Sequence, residues 1–242
     1  LCRSLFESKS IDEVHVTPGN AGTMNYATNH SISTSDISGL VDLSRNLRVD
    51  FVVVGPEAPL CESLADILLE HQIPCFGPQA LHAELEGSKR FAKEAMHRAN
   101  VPTADYLVLD SSTDLESALD SYSDNPWVIK RDVLAGGKGV VVTTDYQEAI
   151  EFIKDSIETD GHVLLESFLP GEEASMLVVM DASGFICLPP SQDHKRVWDG
   201  DKGLNTGGMG AYCPAPVVTE TIHQKVLERI VEPMHESLSG MD

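Results

Sequence analysis

Short apolar runs alternate along the chain with segments whose apolar positions recur at helical spacing. The first pattern is typical of β-strands and the second of amphipathic helices. The predicted strands are 13–17, 50–54, 73–76, 106–109, 127–130, 140–143, 162–167 and 174–181. The predicted helices are 58–71, 88–100, 113–121, 146–157 and 219–237. This alternation predicts an α/β fold with largely parallel strand pairing.

Gly-Pro turns mark the ends of strands in the first part of the chain. The strands 50–54 and 73–76 both run into a Gly-Pro dipeptide, and the helix 58–71 lies between them. A strand, a turn, a helix and a second strand together predict half of a Rossmann-like domain. We therefore divide the chain into a Rossmann-like domain, residues 1–82, and a second domain, residues 83–242.

Composition narrows the classes of partner. The 242 residues include 17 Lys plus Arg and 38 Asp plus Glu, which gives a formal charge of −21. Such a surface, without a dense basic segment, repels phosphate backbones and anionic membranes, so we expect neither nucleic acid nor a membrane as partner. The five cysteines are odd in number and include no Cys-x-x-Cys pair, which indicates reduced thiols and a cytoplasmic protein.

A glycine-containing loop between two predicted strands is the first candidate for chemistry. The segment WVIKRDVLAGGKGVVV (127–142) places Lys130 at the end of the first strand. The loop that follows contains Gly136, Gly137, Lys138 and Gly139. Glycines let backbone N–H groups approach a phosphate, and the lysines add positive charge. For this motif alone, the alternative is an ordinary hairpin loop with two solvated lysines.

The second candidate is the segment LLESFLPGEE (164–173). An apolar strand runs into Glu166, then into Phe168 and Leu169, and a Pro-Gly turn leads to Glu173. Such a segment can line an adenine slot, with apolar side chains over the ring and a carboxylate on the ribose hydroxyls. The alternative is a strand that ends in a turn with solvated acidic residues.

The third candidate is a polar, Gly-rich and apparently irregular stretch, 191–210. Its first cluster is Asp193, His194, Lys195 and Arg196, and its second is Asn205, Thr206, Gly207 and Gly208. Long irregular loops in compact domains are usually functional, and these side chains suit an anionic or zwitterionic substrate. No second His or Cys stands at ligand spacing from His194, so the residues predict no metal site here.

The helix 88–100 carries Lys89 and Lys93, which are four residues apart and therefore share a face. On its own, this pair is typical of a solvated helix surface.

Six segments in their order closely resemble the phosphoribosylamine–glycine ligase family, whose members have an ATP-grasp fold. The segments are PGNAGT (18–23), VGPEAPL (54–60), EGSKRFAK (86–93), GEEAS (171–175), SQDHKR (191–196) and NTGGMGAY (205–212). The resemblance covers nearly the whole chain. It implies that the Rossmann-like domain precedes an incomplete ATP-grasp fold, whose small lobe spans about 104–170.

The resemblance also implies roles for the matched residues. The ATP-binding set is Lys93 and Lys130, with Lys89 as a weaker member, and Gly136, Gly137, Lys138, Gly139, Glu166, Phe168, Leu169 and Glu173. The catalytic set around the substrates is Asp193, His194, Lys195 and Arg196. The substrate-binding set is Gly19, Asn20, Gly22, Thr23, Asn205, Thr206, Gly207 and Gly208.

The implied reaction belongs to purine biosynthesis. ATP would phosphorylate the carboxylate of glycine, and the amine of 5-phosphoribosylamine would then attack the glycyl phosphate. The family needs Mg²⁺ or Mn²⁺, whose ligands, a Glu and an Asn, are expected beyond Asp242, and its opening Gly-rich loop is expected before Leu1. We therefore expect a fragment with little or no ligase activity of its own. Fusion of the parent chain to other purine-pathway domains is compatible with this expectation.

Two alternatives stay open at this point. Another ATP-grasp carboxylate–amine ligase would keep the ATP-binding lysines and Glu166, but not the amino-acid sequences of 191–196 and 205–212. A nucleotide-binding module without catalysis is the second alternative. It is favoured by Arg-Asp-Val at 131–133, where the family usually has Ala-Asp-Gly, because losing a glycine restricts the loop backbone.

Overall fold

Short strands and helices alternate through two units, residues 1–87 and 88–242. The computed structural model describes residues 1–134, 139–200 and 202–241, and of residues 202, 204 and 205 only the backbone. The helices of the first unit are α1 (Cys2–Phe6), α2 (Ile37–Leu47), α3 (Ala58–Cys61), α4 (Leu64–Glu70) and α5 (Ala80–Gly87). Its strands are β1 (His15–Val16), β2 (Thr28–Asn29), β3 (Val52–Val53) and β4 (Cys75–Phe76), and a 3₁₀ turn covers Thr23–Asn25.

The first unit pairs its strands in parallel, as the sequence predicts. β1 pairs with β2, and β3 pairs with β4 across α3 and α4. Helices α2 and α4 place Leu40, Val41, Leu64 and Leu68 in one buried cluster, to which Ile73 belongs. This strand–helix–strand unit is the Rossmann-like half that the Gly-Pro pattern indicates.

The predicted single helix 58–71 is wrong. Ser63 has a φ of 65°, in the left-handed region, and it separates α3 from α4. Leu60 packs in one buried cluster with Ala65 and Ala83, whereas Leu64 belongs to the cluster around α2. The spacing of the leucines fits one helix, but their burial in two clusters requires a change of direction between them.

The second unit is built around a four-stranded sheet. Its strands are β5 (Tyr106–Asp110), β6 (Trp127–Arg131), β7 (Val140–Thr143) and β8 (His162–Glu166), in the order β5-β8-β6-β7. Every neighbouring pair is antiparallel, so the expectation of largely parallel pairing is wrong here. Residues 163–165 are fully buried, and such continuous apolar runs are common in parallel strands, yet burial on both faces does not set strand direction.

Helices cover one face of this sheet. α7 (Leu115–Asp120) and α8 (Tyr146–Asp160) bury Leu119, Ala149 and Ile153 against Leu109, Ile129 and alternate residues of β8. Because side chains alternate along a strand, the neighbouring positions point to the opposite face. That face carries Lys130 and Glu166. Helix α6 (Lys89–Arg98) begins with the N-cap Ser88, whose hydroxyl accepts from the Phe91 N–H at 3.0 Å.

The rest of the unit consists of short antiparallel ladders and two final helices. The ladders pair β9 (Val178–Asp181) with β10 (Gly184–Cys187), β11 (Gln192–Asp193) with β14 (Ala211–Tyr212), and β12 (Arg196–Trp198) with β13 (Lys202–Asn205). The stretch 191–210 is therefore not irregular, because its glycines separate strands too short to show an alternating pattern. The predicted helix 219–237 consists of α9 (Glu220–Val226), a π-helical segment (Leu227–Val231) and α10 (Glu232–Leu238).

Within the described ranges, none of the helices is both long and apolar enough to cross a membrane.

Candidate functional site

The register of β6 and β8 brings Lys130 and Glu166 onto one face of the sheet. Lys130 lies opposite Leu164, and Val128 lies opposite Glu166, so the two charged residues are diagonal neighbours. The ammonium nitrogen of Lys130 donates to Oε2 of Glu166 at 3.0 Å. The Glu166 side chain is only 4% exposed, so this carboxylate is held inside the protein rather than at its surface.

Lys93 of α6 reaches the same carboxylate oxygen from the other side. Its Nζ lies 3.0 Å from Oε2 of Glu166, and it donates to the Thr103 hydroxyl and the Ala104 carbonyl at 2.9 Å each. The side chain is 7% exposed and its ammonium lies 5.7 Å from the centre of the Tyr106 ring. Three oxygens therefore surround an ammonium that has three hydrogens to donate.

Lys130 differs from Lys93 in the number of its hydrogen-bond partners. Its side chain is 30% exposed, and among the described residues Glu166 is its one hydrogen-bond partner. An ammonium can donate three hydrogen bonds, so Lys130 can bind a ligand without leaving Glu166. Two ammonium groups around one carboxylate leave a net positive charge at the centre. We call Lys93, Lys130 and Glu166 the lysine–glutamate centre.

The start of the glycine loop is tied to α6. Lys89 donates from Nζ to the carbonyl of Val133 at 3.0 Å, and the N–H of Arg131 donates to the carbonyl of Gly139 at 2.8 Å. Lys89 thus lies beside the first loop residues. The predicted phosphate-loop residues Gly136, Gly137 and Lys138 fall outside the described residues.

The predicted adenine and ribose residues follow β8 directly. Phe168 is half-buried, whereas Leu169 is exposed at the surface. Glu173 is also exposed and lies 3.3 Å from Nζ of Lys195. The structure therefore connects the predicted ribose carboxylate to one member of the predicted catalytic set.

The two clusters of the Gly-rich stretch fold against each other. Arg196 pairs with Asn205, and Asp193 pairs with Ala211 in the neighbouring ladder. The carbonyl of Lys195 accepts from both the N–H and the hydroxyl of Thr206, at 2.7 and 2.9 Å. The segments 193–196 and 205–210 thus form one substructure. The side chain of Asn205 lies outside the described part of the chain.

Backbone hydrogen bonds close the same substructure at its other end. The His194 N–H donates to the Gly210 carbonyl at 2.9 Å, and the Met209 N–H donates to the His194 carbonyl at 2.7 Å. The ring of His194 lies 5.6 Å from that of Tyr212. Gly207 and Gly208 lie in the turn, where the Gly208 N–H donates to the Thr206 hydroxyl at 3.1 Å.

The substrate-binding residues predicted in the first unit form a turn held by side chains. Oδ1 of Asn20 accepts from the N–H groups of Gly22 and Thr23 at 2.8 and 3.1 Å. Asn29 of β2, which sequence reasoning missed, donates to the Asn20 carbonyl and accepts from the Thr23 hydroxyl, both at 2.9 Å. Gly19 has a φ of +74°, and a Cβ there would overlap the Asn29 carboxamide. Asn29 lies outside every predicted strand and motif, so no sequence signal marks it.

Sequence reasoning also missed the residues that complete the lysine–glutamate centre. Thr103 and Ala104 follow Pro102 in a segment that carries no motif, so nothing in the pattern marks them as partners of Lys93. Asp132 lies within the segment 127–142, but nothing in that pattern predicts a role for it. The described residues contain no group of three or more His, Cys, Asp or Glu side chains that could hold a metal ion.

Comparison with known families places both units. Residues 1–86 match the model of the phosphoribosylglycinamide synthetase N domain, and residues 87–241 match that of the phosphoribosylglycinamide synthetase ATP-grasp (A) domain. The chain belongs to the phosphoribosylglycinamide synthetase family. The second unit, with its lysine–glutamate centre, is thus the ATP-grasp unit of this family.

Individual relatives agree with the family models. The chain is 45% identical to the phosphoribosylamine–glycine ligase of Escherichia coli O157:H7 over 97% of its length, and 43% identical to that of Allochromatium vinosum over the same share. The crystal structure of the phosphoribosylamine–glycine ligase of Thermotoga maritima is 33% identical with a TM-score of 0.70, covering 95% of this chain and 55% of that one. The chain spans 56% of the length of the two curated relatives.

Proposed function

We propose that this chain binds ATP at the lysine–glutamate centre as part of a phosphoribosylamine–glycine ligase. The observation that carries the proposal is the convergence of Lys93 and Lys130 on one buried carboxylate in the unit that matches the family's ATP-grasp domain. A net positive, largely buried group with unused donors suits a polyphosphate, because charge-assisted hydrogen bonds are stronger where water is scarce.

Lys130 is the residue that we assign to the phosphates. Its partly exposed side chain offers donors to phosphate oxygens while Glu166 keeps the ammonium in place. Lys93 contributes mainly positive charge from behind, because the Thr103 hydroxyl, the Ala104 carbonyl and Glu166 already surround it. We also assign Lys89 and the glycine loop to the binding of the phosphates.

The adenosine part of ATP would lie beyond the end of β8. Phe168 and Leu169 follow Glu166 along the chain, and an exposed leucine next to a half-buried ring provides apolar surface for a base. Glu173 would accept hydrogen bonds from the ribose hydroxyls, and its contact with Lys195 would then bring the substructure 193–210 close to the nucleotide.

The chemistry proceeds in two steps that need no protein nucleophile. The glycine carboxylate attacks the γ-phosphorus of ATP, which releases ADP and forms glycyl phosphate. The amine of 5-phosphoribosylamine then attacks the acyl carbon, and inorganic phosphate leaves with formation of the amide bond. Catalysis consists of alignment and of stabilising the transferring charge by Lys130 and Lys93.

The substrates would be held by the two polar substructures. Lys195 and Arg196 supply positive charge for the glycine carboxylate or its phosphate, and His194 and Asp193 lie beside them. The preformed turn of Asn20, Gly22 and Thr23 would hold phosphoribosylamine. A divalent metal would neutralise phosphate charge when bound, but the described residues contain no cluster that fits it, so no step is assigned through it.

The proposal is tested in two stages with this chain. Calorimetric titration with ADP tests nucleotide binding, with adenosine as the ligand that lacks phosphates. Release of ADP from ATP is then measured with glycine and phosphoribosylamine together and with each alone. Binding that depends on the phosphates, with ADP release that needs both substrates, supports the ligase.

The negative outcomes separate the two parts of the proposal. ADP that binds no more tightly than adenosine refutes the phosphate site. Phosphate-dependent binding without substrate-dependent ADP release by this chain agrees with the expected fragment, whereas the same result with the full-length parent protein supports a nucleotide-binding module and contradicts the ligase.

A further inference from the structure

A second buried carboxylate, Asp132, lies just outside the lysine–glutamate centre. Its side chain is 5% exposed, and Nε2 of His162 lies 2.9 Å from its Oδ2. The Ser88 hydroxyl lies 3.0 Å from Oδ2 and 3.2 Å from Oδ1, and the Arg90 N–H donates to Oδ1 at 3.1 Å. The carboxylate thus joins the segment after β6 to the first residues of α6 and to the start of β8.

Asp132 lies near one lysine of the lysine–glutamate centre along the chain, and its partners lie near the other along α6. It follows Lys130 by two positions and lies one residue beyond the end of β6. Its partners Ser88 and Arg90 begin α6, and Lys93 lies one turn further along that helix. The carboxylate therefore fixes the strand end that carries Lys130 to the helix start that carries Lys93.

We propose that Asp132 is a positioning residue for the nucleotide: by holding β6 to the start of α6, it keeps Lys130 in register with Lys93 for binding phosphates. The role rests on the proposed function of the lysine–glutamate centre. Asp132 itself does not touch the nucleotide in this account.

A carboxylate suits this position because both of its oxygens accept from the start of α6, Oδ1 from the Arg90 N–H and Oδ2 from the Ser88 hydroxyl. Oδ1 faces the Arg90 N–H, and Oδ2 faces His162. In Asp132→Asn one oxygen becomes an NH₂ group. An NH₂ at the Oδ1 position places a donor against the Arg90 N–H, and an NH₂ at the Oδ2 position removes the nearer acceptor of the Ser88 hydroxyl, although Nε2 of His162 can accept from it in one tautomer. A contact with the start of α6 is therefore weakened in either orientation, while the size of the side chain is unchanged.

The same strand end offers a matched control. Asp160, at the end of α8, accepts from Nε and Nη2 of Arg131 at 2.6 and 2.8 Å. This ion pair ties the end of β6 to α8 rather than to α6. Asp160→Asn therefore removes a carboxylate whose partner, Arg131, directly precedes Asp132 in the chain. It leaves the contact between Asp132 and α6 unchanged.

The test compares ADP and adenosine binding by calorimetry for the unchanged chain, D132N and D160N. Hydrogen–deuterium exchange at the start of α6 follows the contact itself. In D132N we expect ADP to bind at least about tenfold more weakly, adenosine to change by less than about twofold, and exchange at Arg90 and Phe91 to accelerate. In D160N we expect the ratio of ADP to adenosine affinity to stay as in the unchanged chain.

The outcomes distinguish this proposal from the function on which it rests. If the unchanged chain binds ADP no better than adenosine, both fail. Suppose that the unchanged chain binds ADP more tightly than adenosine. If D132N then keeps the same ratio of ADP to adenosine affinity, or if D160N lowers that ratio as much as D132N does, only the positioning role is overturned. If D132N does not fold, Ser88→Ala removes one donor to the carboxylate together with the N-cap of α6, and an unchanged affinity ratio in that variant overturns the role as well.

Discussion

Lys93 and Lys130 share one carboxylate oxygen, Oε2 of Glu166, and each ammonium nitrogen lies 3.0 Å from it. The two lysines differ in what else they touch. Lys93 is enclosed by acceptors and by the Tyr106 ring, whereas Lys130 is open to solvent on one side. We therefore propose that Lys93 mainly stabilises the fold and that Lys130 mainly binds the ligand.

Replacing Lys93 by methionine should destabilise the second unit. The variant leaves the Ala104 carbonyl without its donor and Glu166 with one cation in place of two, and breaking a buried ion pair costs about 3 kcal/mol. Urea denaturation measures the free energy of unfolding. Lys154→Met, at an exposed position of α8, is the control and should change it by less than about 0.5 kcal/mol. Equal losses in both variants would contradict the assignment of Lys93.

Replacing Lys130 by glutamine should affect binding more than stability. Glutamine can still donate to Glu166, but it carries no charge for a phosphate, so ADP affinity should fall about tenfold or more. The free energy of unfolding should fall by less than about 1 kcal/mol, because the side chain is partly exposed. Calorimetry and urea denaturation on the same preparation separate the two effects. A variant that binds ADP as well as the unchanged chain would remove Lys130 from the site.

The strand pattern predicts Lys130 and Glu166 at the ends of strands, and both lie on strands of the sheet. Their meeting could not be predicted, because it depends on the order β5-β8-β6-β7, which inserts the last strand between the first two. The alternation of strand-like and helical segments favours parallel pairing, yet every neighbouring pair in this sheet is antiparallel, so the alternation does not set strand direction here.

The partners of Asp132 and Lys93 also could not be predicted from the sequence. Asp132 meets Ser88 and His162 only because α6 and β8 come together at the end of β6. Family resemblance supplies roles for the residues within the matched motifs. It leaves Thr103 and Ala104 unnoticed, because they support Lys93 from a segment without a motif.

Acid should weaken the second unit through Asp132 and Asp160. Burial raises the pKa of Asp132, but hydrogen bonds from His162, the Arg90 N–H and Ser88 outweigh it and lower the pKa overall. Arg131 lowers the pKa of Asp160 through its hydrogen bonds. A lowered pKa in the folded state gives stability that is present above the unfolded value, about 4, and is lost as the pH falls through the folded value.

The test is the urea midpoint between pH 7 and pH 3. It should fall steadily below about pH 4, and D132N should show a shallower fall, because the substituted side chain does not titrate. The same slope in D132N and in the unchanged chain would show that Asp132 contributes nothing to acid sensitivity.

Gly19→Ala should disrupt the turn of the first unit. The left-handed φ of +74° and the overlap of a Cβ with the Asn29 carboxamide both oppose alanine, at a cost of about 1–3 kcal/mol. Hydrogen exchange at Gly22 and Thr23 should accelerate as the bonds from Asn20 weaken. Gly184→Ala, where nothing lies near the added carbon, is the matched control and should leave exchange at these amides unchanged.

The cysteines should differ in reactivity. Burial raises the pKa values of the Cys61 and Cys75 thiols, with nearby carboxylates adding to the shift at Cys61. The thiolate is the reactive form, so iodoacetamide should modify both more slowly than the exposed Cys213 at pH 7.5, as followed by peptide mass spectrometry. Equal rates for the three thiols would contradict the partial burial of Cys61 and Cys75.

Binding of phosphates beside Lys130 is the interaction on which the proposed function depends most directly. Quantitative acetylation of the lysines, read by mass spectrometry, measures this with ADP, with adenosine and without ligand. We predict that ADP protects Lys130, that adenosine does not, and that the exposed Lys154 is modified equally in all three. Acetylation of Lys130 at the same rate with and without saturating ADP would contradict the central claim.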